Sequence, residues 1–308
     1  MLANEAPTAP PSLTTPAASP ATPGARNASI WVTVLVENSV HGRQLQGEHG
    51  LAFHLRTDRG QMVFDTGQSE LVARNAPLLG VDLDAVQAIA LSHGHYDHTG
   101  GLATLRNLAP RARLFLHPDA LINRFSGQPD GSTREVGLPD AARAVVCEGG
   151  EAVVWTRAAT EVIDGVFLTG EIPRETAFED TGGRFYLDEA GTQPDPLLDD
   201  QALFFDTTEG VVVLLGCAHA GVVNTLRHIG RLTQGRPVRA VLGGFHLLSA
   251  SEARLQATLE ALAALDVRMI GAAHCTGPAA TARLWAAFPD RCCTCAVGSA
   301  FRFQRGLS

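Results

Sequence analysis

From residue 30 onward, short apolar runs alternate with turn-forming clusters, and the pattern changes character half-way along the chain. Ile30-Trp31-Val32-Thr33-Val34-Leu35-Val36 is rich in β-branched residues and stops at Glu37-Asn38, which predicts a strand. The runs Gly50 to Leu55 and Gln61 to Phe64 flank Asp58-Arg59-Gly60 and predict a hairpin. Its second run stops at Asp65-Thr66-Gly67, a carboxylate at a strand end. Residues 69–80 and 82–88 read as helical or turn-like, and Ala88-Ile89-Ala90-Leu91 reads as a short buried strand. Residues 102–108 have helical spacing, and Arg113-Leu114-Phe115-Leu116 returns as a strand ending at His117.

The second half is punctuated differently. Residues 119–150 are polar, rich in Gly and Pro, and read as a flap or lid. Strands are predicted at 152–156 and 166–169, the latter running into Gly170-Glu171-Ile172-Pro173-Arg174. Residues 179–200 are acidic and irregular. Gln201 to Asp206 and Val211 to Leu215 then predict a hairpin ending at Gly216-Cys217-Ala218-His219. A helix (222–234) leads to a strand (240–242) ending at Gly243-Gly244-Phe245-His246. Another helix (251–265) leads to a strand (268–270) ending at Gly271-Ala272-Ala273-His274-Cys275. Hairpins thus give way to strand–helix alternation.

Composition narrows the function classes. Of 308 residues 45% are apolar and 18% charged, enough for a large core and incompatible with wholesale disorder. No apolar run is long enough to span a membrane. The net charge of −8 and the lack of a basic block argue against nucleic-acid and anionic-membrane partners, leaving a small-molecule partner as the expectation. Oligomeric state is left open. The chain contains no lysine, so Schiff-base chemistry, a Walker A loop and a kinase-type lysine are excluded. Six cysteines in a chain of this size do not make a disulfide scaffold; Cys292, Cys293 and Cys295 read as reduced thiols. Residues 1–28 have no signal-peptide pattern and read as a disordered Ala/Pro-rich leader, with the cytoplasm as the expected compartment.

The chemistry concentrates at His93-Gly94-His95-Tyr96-Asp97-His98. Three histidines at that spacing arise by chance roughly 0.01 times in a chain with 11 histidines. Imidazole and carboxylate suit Zn²⁺, Mn²⁺ or Fe, so two divalent ions, zinc foremost, are the expected cofactors. In an extended segment His93 and His95 share a face, while a following helical turn carries Asp97 and His98. A strand-to-helix corner of this kind aims one pair at one ion and the other pair at a second. His219, His246 and His274 each follow a predicted strand, where open sheets gather sites. Cys217 is read either as a ligand or bridge or as a small buried residue, and Asp65 either as the partner of a ligand imidazole or as a turn cap. Tyr96 lines the pocket or packs. Arg174 and Arg184 bind an anion or simply face solvent.

These residues carry a resemblance. The corner with Asp65 before it resembles the metallo-β-lactamase superfamily, whose fold is a four-layer αββα sandwich of α/β (α+β) class with a metal site at one edge. Glu37-Asn38, Phe64-Asp65-Thr66-Gly67, the run from Leu91 to Gly101, Thr169 to Arg174, Gly216 to Gly221, Gly243 to Leu247 and His274-Cys275-Thr276-Gly277 follow in order. Together they are similar to the branch named for the methanopterin-pathway dihydropterin–ribofuranosylaminobenzene phosphate synthase. The resemblance implies one metallo-β-lactamase-like domain over 29–308. It implies metal ligation by His93, His95, Asp97, His98, His219 and His274, and catalytic roles for Asp97 and His246. Two departures stand out: Gly216-Cys217-Ala218-His219 replaces the usual bridging Asp, and Glu171 is the nearest match to the third-motif histidine. The expected activity is a metal-dependent hydrolase supplying hydroxide to a phosphoester, lactone, thioester or amide. The alternatives are a transferase joining a pterin-like diphosphate to an aromatic acceptor, and a non-catalytic metal or ligand sensor.

Overall fold

The computed structural model describes residues 29–306; the leader expected at 1–28 lies outside the described residues. In chain order the strands are β1 (Ser29–Val36), β2 (Ala52–Arg56), β3 (Gln61–Phe64), β4 (Ala88–Ala90), β5 (Arg113–Leu116), β6 (Phe125–Gly127), β7 (Thr133–Glu135) and β8 (Val153–Trp155). They continue as β9 (Thr160–Ile163), β10 (Val166–Leu168), β11 (Phe185–Tyr186), β12 (Leu203–Thr207), β13 (Gly210–Leu215), β14 (Val238–Gly244), β15 (Ile270–Ala273) and β16 (Ala300–Gln304). The α-helices are α1 (Leu71–Leu78), α2 (Tyr96–Thr99), α3 (Leu102–Leu108), α4 (Asp140–Glu148), α5 (Val222–Leu232), α6 (Glu252–Ala264) and α7 (Pro278–Ala287).

Two sheets form the middle of the molecule, one of seven strands in the order β16-β1-β2-β3-β4-β5-β8 and one of six in the order β15-β14-β13-β12-β10-β9. Alternating side chains decide the layering. Val32, Val34, Phe53, Leu55, Phe64 and Phe115 of the first sheet meet Leu168, Leu203, Phe205, Val212, Leu214 and Leu242 of the second in one buried cluster. The opposite faces bury Leu35, Val63, Ile89 and Leu114 with residues of α1, α3 and α4, and Val211, Val213, Val241 and Ile270 with residues of α5, α6 and α7. The result is an αββα sandwich. Both hairpins and the strands expected from the apolar runs are present, the one expected at 268–270 displaced to β15, which starts at Ile270. The segment expected as a flap forms β6, β7 and α4, and β6 pairs with both β7 and β11 in a third, three-stranded sheet. Of the two readings for residues 82–88, turn is the one found, leading into β4 at Ala88; β9, α7 and β16 were not foreseen. No described helix is long and apolar enough to cross a membrane.

Candidate metal centre

Most donors in the site sit at or just beyond a strand end, and Asp97 and His98 lie on the helical turn that follows one. The wholly buried β4 runs through Leu91 and Ser92 into His93, and the backbone stays extended at His95 (φ −75°, ψ 147°) before α2 begins. Alternation puts His93 and His95 on one face, their Nε2 and Nδ1 atoms 3.0 Å apart. His219, beyond the end of β13, completes a group in which one donor atom from each histidine lies within 4.8 Å of the others. Gly94 is required between the first two, because a Cβ there would lie 2.3 Å from the Ala120 carbonyl oxygen and 2.6 Å from Arg124 Nη1. The Gly94 N–H donates to Asp199 Oδ2 at 2.7 Å, and Arg124 braces that carboxylate through Nη1 (3.0 Å) and Nη2 (2.7 Å).

Burial holds the pKa of His93, His95 and His219 well below that of a free imidazole, so each is neutral at pH 7 and offers a lone pair. His95 Nε2 and His219 Nε2 are buried without a hydrogen-bond partner. Leaving such groups unsatisfied costs about 1–3 kcal/mol each, a cost that a coordinated cation removes. The donor set and its orphaned nitrogens therefore fit a borderline metal ion.

The turn of α2 carries the second group. His98 Nδ1 lies 2.7 Å from Asp65 Oδ2, with both side chains fully buried. Its Nε2 is 3.1 Å from Cys217 Sγ and 3.2 Å from His274 Nε2. Asp97 Oδ2 is 3.3 Å from His274 Nε2 and 3.1 Å from His49 Nε2. His274 is fixed by Asn38 Oδ1 at its Nδ1 (2.9 Å) and by Glu37 Oε1, which accepts its backbone N–H (2.6 Å). Desolvation opposes a charge on His98, but Asp65 and then Asp97 outweigh it and raise the pKa to about 9. Desolvation likewise opposes charge on Asp97, yet His98, His274 and His49 hold it well below the usual carboxylate range. Asp65 also accepts from the N–H and Oγ of Ser92, whose Oγ is 2.8 Å from His93 Nδ1, so one carboxylate backs both groups. Asp65, Ala218, His246 and His274 all adopt left-handed backbone, with φ of 60°, 53°, 50° and 51°. Such strain costs on the order of 1–3 kcal/mol per residue and clusters at functional sites.

A cavity of 610 Å³ opens on both groups and is lined by His95, Asp97, His219 and His274 among others. Arg134 of β7 and Phe185 of β11, with Arg184 just before it, reach the cavity from the three-stranded sheet. The Phe185 ring centroid lies 5.0 Å from that of His95 and 5.1 Å from that of His219. Asp97 is the only carboxylate among the described lining residues, in a chain with a net charge of −8.

Comparison with known proteins agrees with this geometry. Residues 46–274 match the metallo-beta-lactamase superfamily. The chain belongs to that superfamily. It is 30% identical over 244 residues, 75% of this chain and 81% of the relative, to 7,8-dihydropterin-6-methyl-4-(beta-D-ribofuranosyl)-aminobenzene-5'-phosphate synthase of Methanocaldococcus jannaschii. Its structure is similar to that of a metal-dependent hydrolase of the beta-lactamase superfamily, with a TM-score of 0.73 and 29% identity, covering 88% of this chain and 98% of the other. A metallo hydrolase from the archaeon Ignicoccus hospitalis shares the fold, with a TM-score of 0.51 and 12% identity over 90% of this chain and 100% of that one.

Two of the donors lie on the one segment that follows β13. His219 stands beside His93 and His95, and Cys217 forms a group with His93 and His98. Glu171 is elsewhere. Its carboxylate meets His117 Nε2 at 3.0 Å and Arg157 Nη1 at 2.9 Å, outside the cavity lining. The cause is sheet order: β10 lies two strands from β13, so its end emerges beside His117 and not beside His219. Arg174 is not at the cavity either; it donates to the backbone oxygens of His219 (2.6 Å) and Pro196 (2.8 Å) and braces the His219 loop from behind. Tyr96 lines the cavity, with the Arg134 guanidinium 5.5 Å from its ring, and His246 lines it 4.2 Å, centroid to centroid, from His219. Sequence reasoning missed His49, Ser92, Cys275 and Phe185. Only Cys275 carried a signal, since it directly follows His274 at a strand end.

Proposed function

We propose that the protein is a metal-dependent hydrolase of a small anionic substrate, cleaving a phosphoester, lactone, thioester or amide bond. The observation that carries this reading is the pair of adjacent donor groups under one cavity, with two buried imidazole nitrogens left without partners. His93, His95 and His219 would hold one ion, and Asp97, His98 and His274 a second, with Cys217 beside both. Divalent ions held there, zinc foremost with manganese or iron as alternatives, would supply a water of pKa ~7 and Lewis acidity toward a carbonyl or phosphoryl oxygen.

The protein's own groups divide the remaining work. Asp97 faces the cavity and orients the attacking water. Asp65 fixes the tautomer of His98 through Nδ1 and, by way of Ser92, the ring of His93. His246, with its Nδ1 unpartnered in the cavity wall, delivers the proton to the leaving group. Phe185 brings no hydrogen-bonding group and keeps water off the imidazoles. Arg134 and Arg184 hold the substrate's anionic group at the mouth.

The test is turnover of the four substrate classes by metal-loaded protein in isotopically labelled water. Label in the product supports hydrolysis. No turnover of any class at full metal loading sinks the reading. The similarity to the Methanocaldococcus synthase favours a second reading, a transferase in which an aromatic acceptor takes the place of water. That enzyme would leave the product unlabelled and would need the acceptor for turnover.

A further inference from the structure

We propose that Cys217, His246 and Cys275 form a soft-metal site that adjoins the imidazole and carboxylate groups through Cys217 and holds a thiophilic cation. β13, β14 and β15 are consecutive parallel strands, and each is followed by one of these donors. One sulfur or nitrogen from each lies within 4.8 Å of the other two. Neighbouring strands are about 4.8 Å apart, so donors two strands apart would ordinarily be separated by about 10 Å. Gly244 removes the obstacle between them, since a Cβ on it would lie 2.6 Å from Cys275 Sγ and 3.3 Å from Cys217 Cα. The sulfurs converge over a residue with no side chain.

This convergence suits an ion better than a disulfide. Sulfurs about 2.3 Å from one tetrahedral ion stand about 3.8 Å apart, which the donor spacing allows. Cys217 and Cys275 are both free thiols in the structure. Charge also agrees: two thiolates and a neutral imidazole cancel a dication, so the site adds no net charge beside the other groups. His246 and Cys275 belong to no other donor group among the described residues, and His246 Nδ1 is buried without a partner. All three residues line the 610 Å³ cavity, which leaves a fourth coordination position facing substrate space, as exchangeable sites require. The inference rests on this packing and competes with the hydrolase reading for one residue, since His246 held by an ion would not deliver the leaving-group proton.

The experiment is titration of the metal-free full-length chain with Co²⁺, following the thiolate-to-cobalt charge-transfer band. The expected band loses about half its intensity in Cys275→Ser and in Cys217→Ser, and all of it in the double variant. A band untouched by Cys275→Ser, or no band in the wild type, overturns the proposal. Alkylation mapping of the wild type with and without Zn²⁺ covers the case of a variant that fails to fold. The ion must protect Cys217 and Cys275 together while leaving exposed Cys147 reactive. Protection of Cys217 alone, or a disulfide joining the two in the purified protein, overturns it equally.

Discussion

The two imidazole-bearing groups under the cavity are adjacent in space and opposite in electrostatics. His93, His95 and His219 are neutral, buried and without a carboxylate donor. Their support comes from Arg124 by way of Asp199 to the Gly94 N–H, and from Asp65 by way of Ser92 to His93. Asp97, His98 and His274 form a charged group in which Asp65 and Asp97 keep a proton on His98. The difference teaches how, on the two-ion reading proposed above, one six-residue corner would serve both ions. The first group is already deprotonated and would accept a cation without exchange, whereas the second would give up a proton to take one.

The largest expected effect comes from removing a member of the neutral group. His95→Ala should lower metal content by one equivalent and activity by more than about 100-fold, beyond the usual cost of an outer-sphere change. Elemental analysis per chain checks it. Loss of both equivalents would show that the groups are not independent and would break the comparison. Asp65→Asn attacks the charged group from behind. It should weaken metal binding about 10–100-fold by calorimetry, and the proton released on binding should shrink because His98 no longer holds it. An unchanged proton release would locate the exchanging proton elsewhere.

The same contrast sets the pH dependence of the metal-free fold. His98 has a folded pKa raised to about 9, so its contribution is complete below the unfolded value near 6.5 and is lost as pH rises through about 9. From the size of that shift the contribution is on the order of 3 kcal/mol. His93, His95 and His219 are shifted downward, so the unfolded chain binds protons that the folded one does not. Stability therefore falls as pH drops below about 6.5. Melting temperatures with chelator should peak between these limits, and metal loading should remove the alkaline decline because the ion replaces the proton on His98. An alkaline decline that survives full loading would sink this account.

What was legible in the sequence was local. The corner from His93 to His98 shows itself because its spacing lies within one strand end and one helical turn. His219, His246 and His274 were found because each closes an apolar run. Which of them joins which group was not legible, since that depends on strand order, and β13, β14 and β15 could have been arranged otherwise without changing any run. β6, β7 and β11 have two or three residues each and are partly exposed, too short to show a period, so Arg134 and Phe185 were invisible as cavity residues. His49 comes from a polar stretch with no element of its own and meets Asp97 only through folding.

The smallest effect is expected at Glu171, the residue that chain order placed in the third-motif position. Its side chain is 43% exposed and shared between His117 and Arg157, an arrangement typically worth 0–1 kcal/mol. Glu171→Gln keeps the shape of the side chain and removes only its charge. Metal content should stay at the wild-type value, turnover within about two-fold, and the melting temperature nearly unchanged. The informative partner is His219→Ala, which should lose one equivalent of metal, as His95→Ala does. If Glu171→Gln removes metal and His219→Ala does not, the neutral group has been drawn with the wrong third member. The uncharged character on which the comparison rests would then fail with it, because a carboxylate would stand among the donors of both groups.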